Sequence, residues 1–383
     1  VPFEGKWIKP DKRAKLIQKR IAERKEALAE IKAHTLWRSR WKDKSKHFEF
    51  EYTVPPNIAA YYKDLMEAYY KAFAKDWKVG QPKDLGRLKV CFYINRSDFH
   101  QIGGAGGGTL AYFRFVKPLE LNFFYDRLDP ALTEQVMYHE ANHYLQYLLN
   151  PEFNMPHFPS EALAEYYGAS VFDPKTKKLV TGQVLEGRLT EIQLDVLNGE
   201  MMGLEKMLTR EMYEHYTWGW SLAHFLMNDK RYRKRFERFV KELASGKGVS
   251  HVPYSYGLKT VKMPEVGEHF KKCLRLSSQE DVEQLEKEWH DYVKGGLKVV
   301  TARGLEKAAT RAMNAGRRIR AKRLFKEAIE KGGASAMAYH RYADLLSGDE
   351  ALEYHRKAVE LAPLEAQLYV SLGRALRIKG EKD

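Results

Sequence analysis

Five consecutive residues, His139-Glu140-Ala141-Asn142-His143, carry the sharpest chemical signal in the chain. On a helix, residues four apart lie one turn apart on one face, so the imidazoles of His139 and His143 reach toward a single ion. Glu140 is offset by about 100° around the same helix, beside that ion, where it can move a proton without being a ligand. With this composition chance would supply about 0.04 such patterns in the chain, so the spacing counts as evidence. Thr133–Tyr138 has helical composition, and Asp129-Pro130 makes a helix start.

Two histidines leave a tetrahedral zinc ion short of one protein ligand and a water. Shortly downstream, Pro159-Ser160-Glu161-Ala162-Leu163-Ala164-Glu165-Tyr166-Tyr167 predicts a second helix. Glu161 and Glu165 stand one turn apart on it, so one can bind the metal while the other orients a ligating histidine. The plainer alternative is a pair of solvent-facing glutamates. Their small and aromatic neighbours, with no lysine nearby, disfavour it.

Taken together, His139–His143 and Ser160–Tyr166 resemble the gluzincin metallopeptidases, in particular the bacterial DUF1570 group within the peptidase MA-like superfamily. The resemblance covers roughly residues 47–240, with Tyr216–Leu226 as a looser match. It implies an α+β, zincin-like fold with a small mixed sheet, and a Zn2+ cofactor held by His139, His143 and Glu161. Glu165 would then hold His139 from behind. The chain departs from the family at Ala162, where glycine is frequent, a mild change. The resemblance further implies hydrolysis of a peptide or protein substrate. Zinc would acidify a water and polarise the substrate carbonyl. Glu140 would pass the water's proton to the leaving amine. A Tyr or His after a further helix start would face the developing oxyanion, with Tyr216 the first choice and His215 the second.

The elements that must position these residues follow from periodicity. Residues 10–33 predict a charged amphipathic helix, His47–Val54 a strand and Ile58–Trp77 a packed helix. Leu88–Asn95, Leu110–Phe115 and Leu119–Tyr125 predict strands, and Leu110–Phe115 is the expected sheet edge for an extended substrate. The glycine tract 103–108 lacks the Lys-Ser/Thr and the helix that a phosphate loop needs, so it reads as a flexible loop over a cleft. Thr217–Met227 and Arg231–Ala244 predict helices, with a less regular stretch between Gly246 and Gly267. His157 and His224 read as packing histidines.

Near the C-terminus Ala321, Phe325 and Ala328 recur as Ala351, His355 and Ala358, followed by Pro363. This spacing resembles tetratricopeptide repeats, although the interval is 30 residues and His355 replaces a large apolar residue. The expected organisation is a basic helical segment at 1–46, a catalytic domain at 47–300 and all-α repeats at 301–383 that bind a protein partner or substrate.

Composition narrows the rest. The 44% hydrophobic and 13% aromatic content of 383 residues supports a sizeable core, and no apolar run approaches the roughly 18 residues of a membrane span. Two cysteines exclude a disulfide-rich scaffold. The net charge of +14 sits at the ends: residues 1–50 carry 15 Lys/Arg against 7 Asp/Glu, 301–383 carry 17 against 11, and 51–300 carry 33 of each. A nucleic-acid enzyme would concentrate its excess around the active site, so nucleic acid is not the expected partner. The chain starts at Val1 without a leader, and export after leader removal, as in bacterial periplasmic or extracellular proteins, is one expectation among others. The competing functional reading is a zincin-fold scaffold working through its repeats, against which the intact Glu140 argues.

Overall fold

The breaker-free, charge-rich run after Pro10 forms a helix, and the computed structural model shows it as α1 (Pro10–Ala33), behind a hairpin of β1 (Pro2–Phe3) and β2 (Lys6–Trp7). The structure describes residues 2–3, 6–82, 85–127, 129–363 and 365–380; parts of both predicted ends, notably 381–383, lie outside them. No residue of α1 is buried, so its charge is solvated surface.

A strand that periodicity does not signal follows. β3 (Trp41–Lys44) was expected within the helical segment 1–46, yet it pairs antiparallel with β4 (Phe48–Tyr52). Its Trp-Lys-Asp-Lys sequence lacks apolar alternation because it is an outer strand with three of four residues exposed. α2 (Pro56–Trp77) then crosses to β5 (Leu88–Tyr93), parallel to β4. α3 (Arg96–Gln101) and β6 (Ala111–Arg114) lead to β7 (Glu120–Phe124), parallel to β5. The order β3-β4-β5-β7-β6, with β6 antiparallel to β7, leaves β6 at an edge. Phe48, Phe50, Phe92 and Phe123 are buried against α2, where the Tyr62 and Phe92 rings meet at 4.8 Å.

α4 (Pro130–Tyr147) begins at Asp129, whose carboxylate accepts from the Leu132 N–H at 3.0 Å. After it come α5 (His157–Gly168), the hairpin β8 (Val171–Asp173) and β9 (Lys178–Val180), α6 (Glu186–Asn198), α7 (Leu204–Thr209), α8 (Trp218–Asn228) and α9 (Arg233–Ser245). The irregular stretch holds a short pair, β10 (Val252–Pro253) and β11 (Lys259–Thr260). α10 (Met263–Leu274) and α11 (Gln279–Asp291) precede α12 (Ala302–Asn314), α13 (Arg318–Lys331), α14 (Ala336–Ala343), α15 (Gly348–Leu361) and α16 (Ala366–Lys379). The fold is α+β with a helical C-terminal region. There α12 packs with α13 and α14 with α15. The recurring Ala321, Phe325, Ala328 and Ala351, His355, Ala358 are the buried faces of α13 and α15. Among the described residues no helix is long and apolar enough to cross a membrane.

The chain forms two compact units: one of the residues up to Met155 with Tyr166–Gln183 and Lys241–Thr260, the other of Pro156–Glu165, Val184–Val240 and the chain from Val261 on. Residues on both sides of 300/301 belong to the second unit. α12 packs on α6, where Arg311 Nε donates to Thr190 Oγ1 at 2.9 Å and the guanidinium pairs with Glu191. Glu186 accepts from the N–H groups of Val300 at 2.6 Å and Thr301 at 3.0 Å. These contacts are polar, so hydrophobic patterning does not announce them.

Candidate metal centre

Along α4, every residue from Met137 to Leu148 is buried except His139, Glu140 and His143. The buried side fixes the helix's rotation. Asn142, a spacer in the sequence pattern, donates from Nδ2 to the Tyr69 hydroxyl at 2.6 Å and accepts from Gln146 Nε2 at 2.7 Å. Tyr138 meets Tyr69 edge-on at 5.1 Å. On the open side, the Nε2 atoms of His139 and His143 face each other at 3.3 Å. Two nitrogens bound to one tetrahedral zinc at 2.0–2.1 Å stand about 3.3 Å apart, the same spacing.

Glu140 Oε2 accepts from the Phe113 N–H at 3.0 Å. Phe113 lies on β6, so this N–H points off the free edge of the sheet, away from β7. The N–H and C=O of one strand residue share a side and the pattern repeats two residues on, so Ala111 also presents its backbone groups outward. The Glu140 carboxylate and the strand edge are thus neighbours.

From Phe158 to Gly168 of α5, Glu161 is the one residue not fully buried, which excludes the pair of solvent-facing glutamates. α5 is a single uninterrupted helix whose residues are shared between the two units. Its end is anchored by Tyr167, which accepts from Trp77 Nε1 and donates to Asp76, both at 3.0 Å. One ligand atom each from His139, His143 and Glu161 lies within 4.8 Å of the others. Two imidazole nitrogens and a carboxylate oxygen form a donor set that fits a zinc-class ion with a place left for water or substrate.

Glu165 is 2% exposed and accepts from Arg188 at 2.6 Å. Glu165, expected behind His139, pairs with Arg188 on α6, a residue that no spacing rule singles out. Burial opposes charge on Arg188, but Glu165 and Glu191 outweigh it and raise the guanidinium pKa. Arg188 also lies over the Tyr216 ring, 5.4 Å from its centre.

His215 is fully buried and both ring nitrogens are engaged. Nε2 faces the Met207 carbonyl at 2.9 Å and must carry the proton, so the bare Nδ1 accepts from His157 Nδ1–H at 2.6 Å. Burial pushes the His215 pKa down to about 4, which keeps this neutral tautomer. Both ring nitrogens of His215 are thus taken up within the chain, while Tyr216 is half-buried beside His157, their rings 5.8 Å apart. His157, read as mere packing, is the partner that sets His215. His224 bonds the Tyr292 hydroxyl at 2.8 Å.

Comparison with protein families, with curated proteins and with solved structures finds no match in any of the three. The functional reading rests on the residues themselves.

Proposed function

We propose that this chain is a gluzincin-like, zinc-dependent metallopeptidase. The observation that carries the reading is the convergence of His139, His143 and Glu161 with Glu140 beside them at the edge of β6. Those three side chains would hold the ion, which when bound supplies Lewis acidity toward a carbonyl and an acidified water at neutral pH. Glu140 takes a proton from that water and delivers it to the leaving amine. An extended peptide adds along β6, using the outward backbone groups of Ala111 and Phe113. A substrate that pairs with the Phe113 N–H releases Glu140 from its present hydrogen bond and leaves the carboxylate ready for proton transfer. Tyr216 donates to the oxyanion, and Arg188 holds Glu165 and the Tyr216 ring in place. The glycine tract leads directly into β6, with positive φ at Gly104 and Gly108, so its backbone can lie close to a substrate.

The repeats serve as an arm for a protein partner, which the exposed Tyr369, Val370 and Ile378 on α16 support. A peptide-library digest of wild type beside Glu140→Gln tests the activity. Cleavage by wild type alone is expected; equal product from both would remove the proposed base, and no product from either would favour a scaffold.

A further inference from the structure

The repeats hold a second group of metal-type donors. His340 on α14 and His355 on α15 are buried, 8% and 5% exposed, with ring centres 5.5 Å apart. Asp344 ends α14, and its two carboxylate oxygens lie 3.5 Å from His340 Nε2 and 3.7 Å from His355 Nε2. Those separations are long for hydrogen bonds, and neither imidazole's Nδ1 has a hydrogen-bond partner among the described residues. Buried polar groups normally find partners, so this trio is unsatisfied by its own members.

One ligand atom from each of the three lies within 4.8 Å of the others. Donors about 2 Å from a shared ion stand at such mutual distances. The sequence adds an independent hint: His355 occupies a position where the repeat pattern takes a large apolar residue, so it is not there as filler. Beside the trio lies a cavity of about 560 Å³, also lined by Gln367, Ser371 and Arg374 of α16.

We propose that His340, Asp344 and His355 bind a second divalent ion of the zinc class, with a coordination position open to this cavity. Imidazole donors favour zinc, cobalt or nickel over magnesium or calcium. The ion pins α14 to α15 and presents a Lewis-acidic position on the surface of the repeats, suited to a carboxylate or imidazole of an incoming chain. This site does not depend on the peptidase reading.

The test uses the full chain stripped of metal and titrated with Co2+, whose visible absorption reports nitrogen and oxygen ligation. Elemental analysis after Zn2+ reconstitution gives the stoichiometry. The His139→Ala/His143→Ala variant is expected to keep one ion per chain and to melt at a higher temperature with Zn2+ than without. Adding His355→Gln or Asp344→Asn should abolish both effects. A folded double variant, judged by its circular dichroism, that takes up no ion would overturn the proposal, as would stoichiometry unchanged by His355→Gln and Asp344→Asn. If wild type binds one ion that His355→Gln loses and His139→Ala/His143→Ala keeps, the repeat site stands and the centre on α4 and α5 falls.

Discussion

The two histidine–carboxylate trios have the same donor chemistry and different surroundings. On α4 the two histidines come from one helix and the carboxylate from a second, all half-buried, with Glu140 next to them and bonded to an edge strand. In the helical C-terminal region one histidine lies on α14 and the aspartate at its C-cap, the second histidine comes from α15, and both imidazoles are buried. Among the described residues, the cavity beside that trio is lined by no carboxylate other than Asp344. An ion needs only the donors, whereas hydrolysis also needs a proton carrier and a place to lay the substrate. On the proposed reading, Glu140 and the edge of β6 would supply these to the first trio.

The strongest way to break this contrast is Glu140→Gln. Turnover of a peptide substrate should fall about 10²- to 10⁴-fold with metal content unchanged, while His355→Gln leaves turnover as it was. Loss of turnover in His355→Gln would place the repeats inside the chemistry. Next in size is Arg188→Ala, which strands the buried Glu165 and should cost about 3–5 kcal/mol in urea denaturation. An unchanged midpoint would mean that another cation serves Glu165.

Smaller again, Tyr216→Phe should lower kcat about 10²-fold with KM little altered, as expected for loss of one oxyanion donor. A rise in KM alone would move Tyr216 to substrate binding. The finest probe is Ser335→Ala. Ser335 caps α14 by accepting from the Ala338 N–H at 3.1 Å, and its loss should cost about 1 kcal/mol. It should weaken ion uptake by the repeats and leave peptide turnover untouched.

What the sequence made legible was whatever one helix or one strand fixes by itself. His139, Glu140 and His143 are readable because helical geometry alone sets their relation, and the β4 face because Phe48, Phe50 and Tyr52 alternate. Arg188 was not readable: it meets Glu165 only after the chain has turned through the β8–β9 hairpin into α6. The His157–His215 pair joins positions 58 residues apart, with the tautomer set by a carbonyl that no pattern marks. β3 escaped because an outer strand with charged residues has no alternation to detect. The junction of α6 with α12 escaped because Glu186, Thr190, Glu191 and Arg311 look like ordinary surface residues one at a time.

Because α1 buries none of its 24 residues, little tertiary packing sustains its hydrogen bonds. Its amide protons should exchange with solvent deuterium within seconds, far ahead of those of α4, and its ellipticity should decay gradually on warming with no sharp transition of its own. Any ligand that seats on this stretch would announce itself first as a slowing of that exchange.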